Sequence, residues 1–165
     1  MFMGQGVRFR ELVYRTGNMD TMQFRGEYSF LSNFQYFDKP MRYGDLTFTT
    51  NEHFYVAMKT LDQDLRKQVA EHPPKGLKKF GNTLPLRNDW GEIKLKVMEY
   101  GLRYKFSKHN PILRKKLIAT EDINIVEGNW WGDDFWGVCL KTELGENHLG
   151  KLLMKIRDEI IEEDR

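Results

Sequence analysis

The chain has 165 residues, of which 26 are Lys or Arg and 24 are Asp or Glu, so its formal net charge is +2. Hydrophobic residues make up 40% and charged residues 30% of the chain, which is typical of a globular protein and excludes an intrinsically disordered one. The length predicts one domain, and the near balance of charge does not require a nucleic acid partner, although it leaves room for a local basic patch.

The N-terminal segment, residues 1–22, has little pattern, and we expect an arm or a strand ahead of one folded domain at residues 23–165. Aromatic residues then recur over residues 24–34 without a clean period. This predicts a loop that leads into a turn at Ser32 and Asn33.

A β-hairpin and a series of helices are predicted next. The hairpin covers residues 38–49, and Gly44-Asp45 stands where its turn is expected. Thr50-Asn51 is a good helix N-cap pair. Apolar residues at helical spacing, with Pro, Gly and Asn near the ends, predict helices at about residues 52–61, 65–70, 75–80, 90–106, 112–119 and 147–163.

Two short apolar runs, residues 123–127 and 138–140, are predicted to be strands between the last two helices. With one hairpin and mostly helices elsewhere, we expect a helix-dominated α+β fold with a small antiparallel sheet in a single domain.

Several kinds of site are not expected. Cys139 is the only cysteine, so an internal disulfide cannot form and a cytoplasmic protein is predicted. No apolar run approaches the ~20 residues of a membrane span, and we expect no membrane association. The His and Cys residues lack zinc-ligand spacing, and no Gly-rich phosphate loop is present, so neither a metal nor a cofactor is predicted.

The helix that begins at Glu52 carries a possible reactive pair. Glu52 and Lys59 are seven residues apart, so they lie on one face about two turns, or ~10 Å, from each other, and their side chains can converge on one ligand. The helix dipole favours an ionised carboxylate in the first turn. However, Glu in the first turn and Lys in the last turn are also what any helix prefers.

The tryptophan loop, residues 130–136, holds three of the four tryptophans around Asp133 and Asp134. Aromatic faces beside carboxylates suit a wall for a flat or sugar-bearing ligand, although tryptophans also pack in a core without any ligand. Arg87, just before a helix, is well placed for a phosphate. Trp90 could stack on a base or could equally be a packed core residue. A small basic run, Lys75, Lys78 and Lys79, is expected to be solvated, with contact to a nucleic acid backbone as the alternative.

Six short motifs, in order, resemble those of the NADAR (YbiA-like) family over about residues 24–157. They are Leu31-Ser32-Asn33-Phe34, Thr50-Asn51-Glu52-His53-Phe54-Tyr55 with Lys59, Leu86-Arg87-Asn88-Asp89-Trp90, Tyr104-Lys105-Phe106, Asp133-Asp134-Phe135-Trp136-Gly137, and the run from Glu146 to Met154. The resemblance implies that residues 23–165 are a NADAR-like catalytic domain. It does not extend to residues 1–22.

The resemblance implies an N-glycosidase that hydrolyses a C1′–N bond. The favoured substrate is guanine in nucleic acid that carries ADP-ribose. The implied catalytic residues are Glu52, Lys59 and Asp133. Lys59 acts either electrostatically or through a Schiff base. The implied substrate-binding residues are Ser32, Asn33, Phe34, Arg87, Trp90, Trp136, Gly137 and Asn147.

Three other interpretations stay open. The substrate could be a ribosylaminopyrimidine phosphate of riboflavin synthesis, the pocket could bind ADP-ribose without hydrolysing it, or the domain could be purely structural. The sequence does not decide among them, and it does not decide the oligomeric state.

Overall fold

The computed structural model describes residues 7–8 and 24–165. These residues form two compact units. The central unit comprises residues 32–115, and the flanking unit comprises the described residues on either side of it. The arm or strand predicted at residues 1–22 lies outside the described residues, except for strand β1 at Val7–Arg8.

The central unit begins with the predicted hairpin, which is confirmed. Strands β2 (Tyr36–Tyr43) and β3 (Leu46–Thr50) are antiparallel, with Met41 opposite Phe48. Gly44 turns the chain at a φ of 58°, a left-handed conformation that costs glycine little. Phe48 and Met41 point into the core, so the hairpin carries one apolar face.

Four helices follow the hairpin in the central unit. Helix α1 (Asn51–Met58) starts directly after β3, and the Thr50 side chain caps it by accepting a hydrogen bond from the His53 N–H. It ends earlier than the predicted residue 61, because Lys59 and Thr60 turn off in a tighter i→i−3 pattern. The other three are α2 (Gln63–Glu71), α3 (Leu77–Gly81) and α4 (Trp90–Lys105).

Helix α5 (Pro111–Ile118) starts with proline at its first position, as predicted. The Asp38 carboxylate caps it by accepting hydrogen bonds from the backbone N–H groups of Ile112 and Leu113, at 2.9 and 3.3 Å. Asn110 links the same region to β2, since its Oδ1 accepts the Lys39 N–H at 2.8 Å. These bonds tie the hairpin to the chain that follows α4.

The flanking unit contains a 3-10 helix (Gly26–Leu31) where a loop was expected. It also contains strands β4 (Gly128–Asn129), β5 (Val138–Cys139) and β6 (Leu144–Gly145), and helix α6 (His148–Glu163). The strands form a sheet in the order β1-β6-β5-β4, in which β4 and β5 are parallel and the other pairs antiparallel.

Two sequence predictions are corrected here. Residues 123–127 are not a strand, and the paired residues are the next two, Gly128–Asn129. Ile125 and Val126 are nevertheless fully buried, so their apolar character reflects packing and not pairing. The described residues also form two small sheets, not one, and the second is mixed because β4 runs parallel to β5.

The predicted fold class is confirmed: the protein is α+β and rich in helices, with small sheets. The predicted division of the chain at residues 22 and 23 stays a prediction. Among the residues that the structure describes, no helix is both long enough and apolar enough to cross a membrane.

Candidate active site

Helix α1 holds Glu52 in a buried position. All eight residues of α1 are buried, and Glu52 itself is 7% exposed. Its backbone N–H donates a 2.9 Å hydrogen bond to the Asn33 carbonyl. The carboxylate therefore lies in the first turn of a helix that packs on all sides, where its position is fixed by the fold and its charge is favoured by the helix dipole.

Lys59, directly after α1, is half-buried, and its Nζ lies 5.7 Å from the centroid of the Tyr55 ring. Burial lowers the pKa of Lys59 below that of an exposed lysine. The Glu52 carboxylate opposes this effect, and the Lys78 ammonium adds to it. Glu52 and Lys59 thus interact electrostatically, as their helical spacing predicts.

The Ser32–Phe34 turn lies against the start of α1. Asn33 accepts the Glu52 N–H through its carbonyl, and its Oδ1 accepts a 2.9 Å hydrogen bond from Asn51 Nδ2. The Ser32 hydroxyl accepts the Phe34 N–H at 3.2 Å. The three predicted turn residues are therefore part of the scaffold around Glu52.

Arg87 and Trp90 also belong to the central unit. The Arg87 N–H donates to the Lys59 carbonyl at 2.8 Å, which anchors the chain before α4 to the end of α1. Its guanidinium forms a two-pronged ion pair with Asp89, at 2.6 and 3.2 Å, and this hydrogen bond holds the pKa of Asp89 below its usual value. Trp90 is 8% exposed and packs against Tyr55, with 5.0 Å between the two ring centroids.

Lys78 is exposed, as predicted for the basic run, and it is also a neighbour of this site. Its Nζ lies 5.7 Å from the centroid of the Phe34 ring, and its charge acts on Lys59. Close packing of α3 on α1 explains the placement, because a Cβ at Gly81 would lie 2.9 Å from a methyl group of Val56. The signal available in the sequence was the small Gly81 one turn after Lys78.

In the flanking unit, Asp133 shapes the tryptophan loop. Its Oδ1 accepts the N–H groups of Phe135 and Trp136, at 3.2 and 3.0 Å. The Asn129 side chain, only 1% exposed, bonds the backbone of the same residue. Its Nδ2 donates to the Asp133 carbonyl, and its Oδ1 accepts the Asp133 N–H. Asn129 was missed as a supporting residue.

Two other predicted binding residues have structural contacts here. Asn147 is 1% exposed and uses its amide to bond the Glu127 N–H and the Ile125 carbonyl, both at 3.0 Å. A Cβ at Gly137 would lie 2.1 Å from the Glu127 carbonyl oxygen, so glycine is needed for this close approach. Trp136 is half-buried, whereas Trp130 and Trp131 are 59% and 66% exposed.

The structure therefore groups the predicted residues by unit. The turn residues, Glu52, Lys59, Arg87 and Trp90 belong to the central unit, and Asp133, Trp136, Gly137 and Asn147 belong to the flanking unit. That both groups act on one substrate stays a prediction. Among the described residues, no three His, Cys, Asp or Glu side chains are arranged to hold a metal ion.

Comparison with known proteins identifies the family. Residues 21–161 match the model of the NADAR domain. The chain belongs to the NADAR family. It is 33% identical over 141 residues to the N-glycosidase YbiA of Escherichia coli, covering 81% of this chain and 82% of that protein. It is also 37% identical over 125 residues to the N-glycosidase Npun_R5314 of Nostoc punctiforme, covering 70% and 76%.

The NMR structure of the E. coli protein YbiA is similar to this fold, with a TM-score of 0.73 and 31% identity over 87% of this chain and 86% of that one. The resemblance found in the sequence motifs is thereby confirmed. This NADAR protein is an enzyme of the N-glycosidase class, which is a hydrolase activity.

Proposed function

We propose that this NADAR protein removes ADP-ribose from modified guanine in nucleic acid by hydrolysing the C1′–N bond. The observation that carries the proposal is the pairing of Glu52, buried in the first turn of α1, with Lys59, half-buried directly after α1: the two groups interact electrostatically. Such a pair supplies a proton donor or acceptor and an amine that interact electrostatically.

The chemistry divides between two carboxylates. As the C1′–N bond breaks, the leaving nitrogen gains a proton, the anomeric carbon becomes positive, and water then adds its oxygen to C1′. Glu52 would transfer protons, because its carboxylate is buried in the first turn of α1 and acts on Lys59. Asp133 would stabilise the positive sugar or orient the water, since the loop bonds to its Oδ1 hold this carboxylate in place.

Lys59 has two possible roles. The lowered pKa increases the fraction of neutral amine. If the ribose ring opens while the base is still attached, this amine can add to C1′ and expel the base nitrogen, which leaves with a proton, to form a Schiff base; water then hydrolyses the Schiff base and releases the sugar aldehyde and the lysine amine. In the other role, the ammonium group stabilises negative charge on the substrate. Glu52 favours the charged form and Lys78 disfavours it, so both forms are supported by neighbours.

Phosphate groups of ADP-ribose would be held by cations of the central unit. Arg87 would bind a phosphate, and Lys78 is a second candidate, because its Nζ lies 5.7 Å from the centroid of the Phe34 ring and its charge acts on Lys59. Asp89 already neutralises Arg87, so a phosphate must compete with this carboxylate or bind beside it. Trp90, Trp136, Ser32 and Asn33 keep their predicted role in binding the base. Gly137 and Asn147 would act through the backbone that they support, because Gly137 packs against the Glu127 carbonyl and the buried Asn147 amide already bonds two backbone groups.

A substrate panel tests the proposal. The protein is incubated with an ADP-ribosylated guanine oligonucleotide of DNA or RNA and, separately, with ribosylaminopyrimidine phosphates, and the released sugar is measured by mass spectrometry. We expect free ADP-ribose and an unmodified oligonucleotide. Release of ribose phosphate from the pyrimidine alone would overturn the assignment in favour of a riboflavin intermediate.

A binding module without catalysis makes a different prediction in the same assay. ADP-ribose would raise the melting temperature, as any ligand of the native state does, but no sugar would be released from any substrate. A domain with neither function would show no shift and no release.

A further inference from the structure

Lys105, at the end of α4, is a buried lysine that the proposed chemistry does not use. It is 0% exposed, and burial lowers its pKa to about 7. Its Nζ donates a 2.7 Å hydrogen bond to the Ser32 carbonyl and lies 5.2 Å from the centroid of the Phe106 ring. Burying an amine that prefers to be charged is unfavourable, so its presence here is not explained by stability alone.

The carbonyl that Lys105 binds belongs to the turn beside Glu52. The Ser32 carbonyl also accepts the Gln35 N–H at 3.0 Å, which closes the turn. The next residue, Asn33, accepts the Glu52 N–H at 2.9 Å. One hydrogen-bonded path thus runs from the Lys105 ammonium through the turn to the backbone of the proposed acid/base.

A second hydrogen bond also links the Ser32–Phe34 turn to the start of α1. The Asn33 side chain accepts from Asn51 at 2.9 Å, one residue before Glu52. Movement of the turn would therefore displace the first turn of α1 at two successive residues. Misplacing a reacting group by about 1 Å costs an enzyme up to about 100-fold in rate.

We propose that Lys105 is a positioning residue for Glu52: by holding the Ser32 carbonyl, it fixes the turn that receives the Glu52 N–H. The inference rests on the proposed function for the catalytic role of Glu52. The mechanical link between the two residues does not depend on the substrate.

The test compares Lys105→Met with Lys96→Met, a control at an exposed lysine of the same helix. Methionine fills a similar volume without a charge. We expect Lys105→Met to fold with an unchanged or higher melting temperature, to exchange the Glu52 amide proton faster by NMR, and to lose about 10- to 100-fold in kcat with little change in KM. Lys96→Met should match the wild type in all three.

Lys105→Gln is a second variant: glutamine keeps an N–H donor, but its side chain is shorter than that of lysine and carries no charge. We expect its Glu52 exchange rate and its kcat to fall between those of the wild type and Lys105→Met. A Glu52 exchange rate that stays at the wild-type value in both variants would overturn the link, whatever the substrate. A fall in melting temperature without a change in kcat would overturn it in favour of a structural role.

Activity tests the catalytic role of Glu52, whereas exchange of the Glu52 amide proton tests its link to Lys105, so the two can fail separately. If Glu52→Gln retains full activity, the catalytic role of Glu52 is wrong. Faster Glu52 exchange in Lys105→Met would still support the positioning link in that case.

Discussion

The α1 cluster (Asn33, Glu52, Lys59 and Lys78) and the tryptophan loop hold their polar groups by different means. In the α1 cluster, Glu52 lies on a fully buried helix whose backbone bonds satisfy its own polar groups, and Asn33 and Lys59 lie against the start and the end of that helix. In the tryptophan loop, the chain between β4 and β5 has little regular structure, and side chains of Asn129 and Asp133 bond its backbone instead.

This difference predicts how each region tolerates substitution. A charge on a buried helix can be removed without removing the backbone bonds that shape the helix, so its loss should affect chemistry more than folding. A loop carboxylate that accepts backbone N–H groups serves structure and chemistry together. We therefore expect the largest effects from charges of the proposed chemistry in these two regions and the smallest from Lys105, which lies outside both.

Glu52→Gln should lower kcat by about 10³-fold, because the amide keeps the shape of the side chain but cannot transfer a proton. The melting temperature should stay close to that of the wild type. Glu92→Gln is the matched control, since Glu92 is also a first-turn glutamate but is exposed on α4. Equal activity of both variants would remove Glu52 from the mechanism.

Lys59→Met should lower kcat by about 10²-fold, since it removes the amine in either proposed role. Borohydride added during turnover separates the roles: a sugar adduct on the Lys59 peptide, found by mass spectrometry, indicates a Schiff base. An electrostatic role predicts the same loss of activity with no adduct. The control is Lys67→Met, an exposed lysine on α2, which should remain fully active.

Asp133→Asn should lower kcat by about 10²-fold. The asparagine Oδ1 can still accept the Phe135 and Trp136 N–H groups, so the loop should keep its shape and the loss should report the charge. Asp134→Asn, at the adjacent exposed residue, is the control. If Asp133→Asn matches this control in kcat, the tryptophan loop supports the site without taking part in the chemistry.

Lys78→Met should raise KM for a phosphate-bearing substrate by about 3- to 10-fold, the effect of losing one hydrogen bond of ordinary net strength, because Lys78 is exposed to water. It should also raise the pKa of Lys59, because the Lys78 charge lowers it. In the profile of activity against pH, the limb that reports deprotonation of Lys59 should therefore move to higher pH. Lys79→Met, its exposed neighbour on α3, should change neither KM nor the pH profile.

Lys105→Met should raise the melting temperature more at low pH than at high pH, and the two gains should differ by a few degrees. The pKa of Lys105 is about 7 in the folded protein and about 10.4 in an unfolded chain, so the burial cost is complete below pH 7 and declines as the pH rises toward 10. The variant should therefore gain more stability at pH 6 than at pH 9. Lys96→Met should show no such pH-dependent difference.

Local patterns in the sequence predicted most of the central unit. The hairpin with its Gly44-Asp45 turn, the Thr50 cap and the helix that follows depend on neighbouring residues, because turn geometry and capping act over a few positions. The pairing of Glu52 with Lys59 followed from helical spacing in the same way.

The tryptophan loop was harder to predict. The strand expected at residues 123–127 was wrong, since a buried apolar run has the same signature whether it pairs with another strand or only packs. The parallel pairing of β4 with β5 depends on Gly137, whose need for close approach to the Glu127 carbonyl becomes visible only when both segments are placed.

The sequence by itself determined the family, the helix-rich α+β class and the carboxylate–lysine spacing on α1, because these depend on motif order and on helical periodicity. Only the tertiary structure decided that Lys78 lies over Phe34 and that Lys105 is buried against the Ser32 carbonyl. The reason is physical: the environment of a charged side chain depends on what packs around it, and those neighbours come from distant parts of the chain.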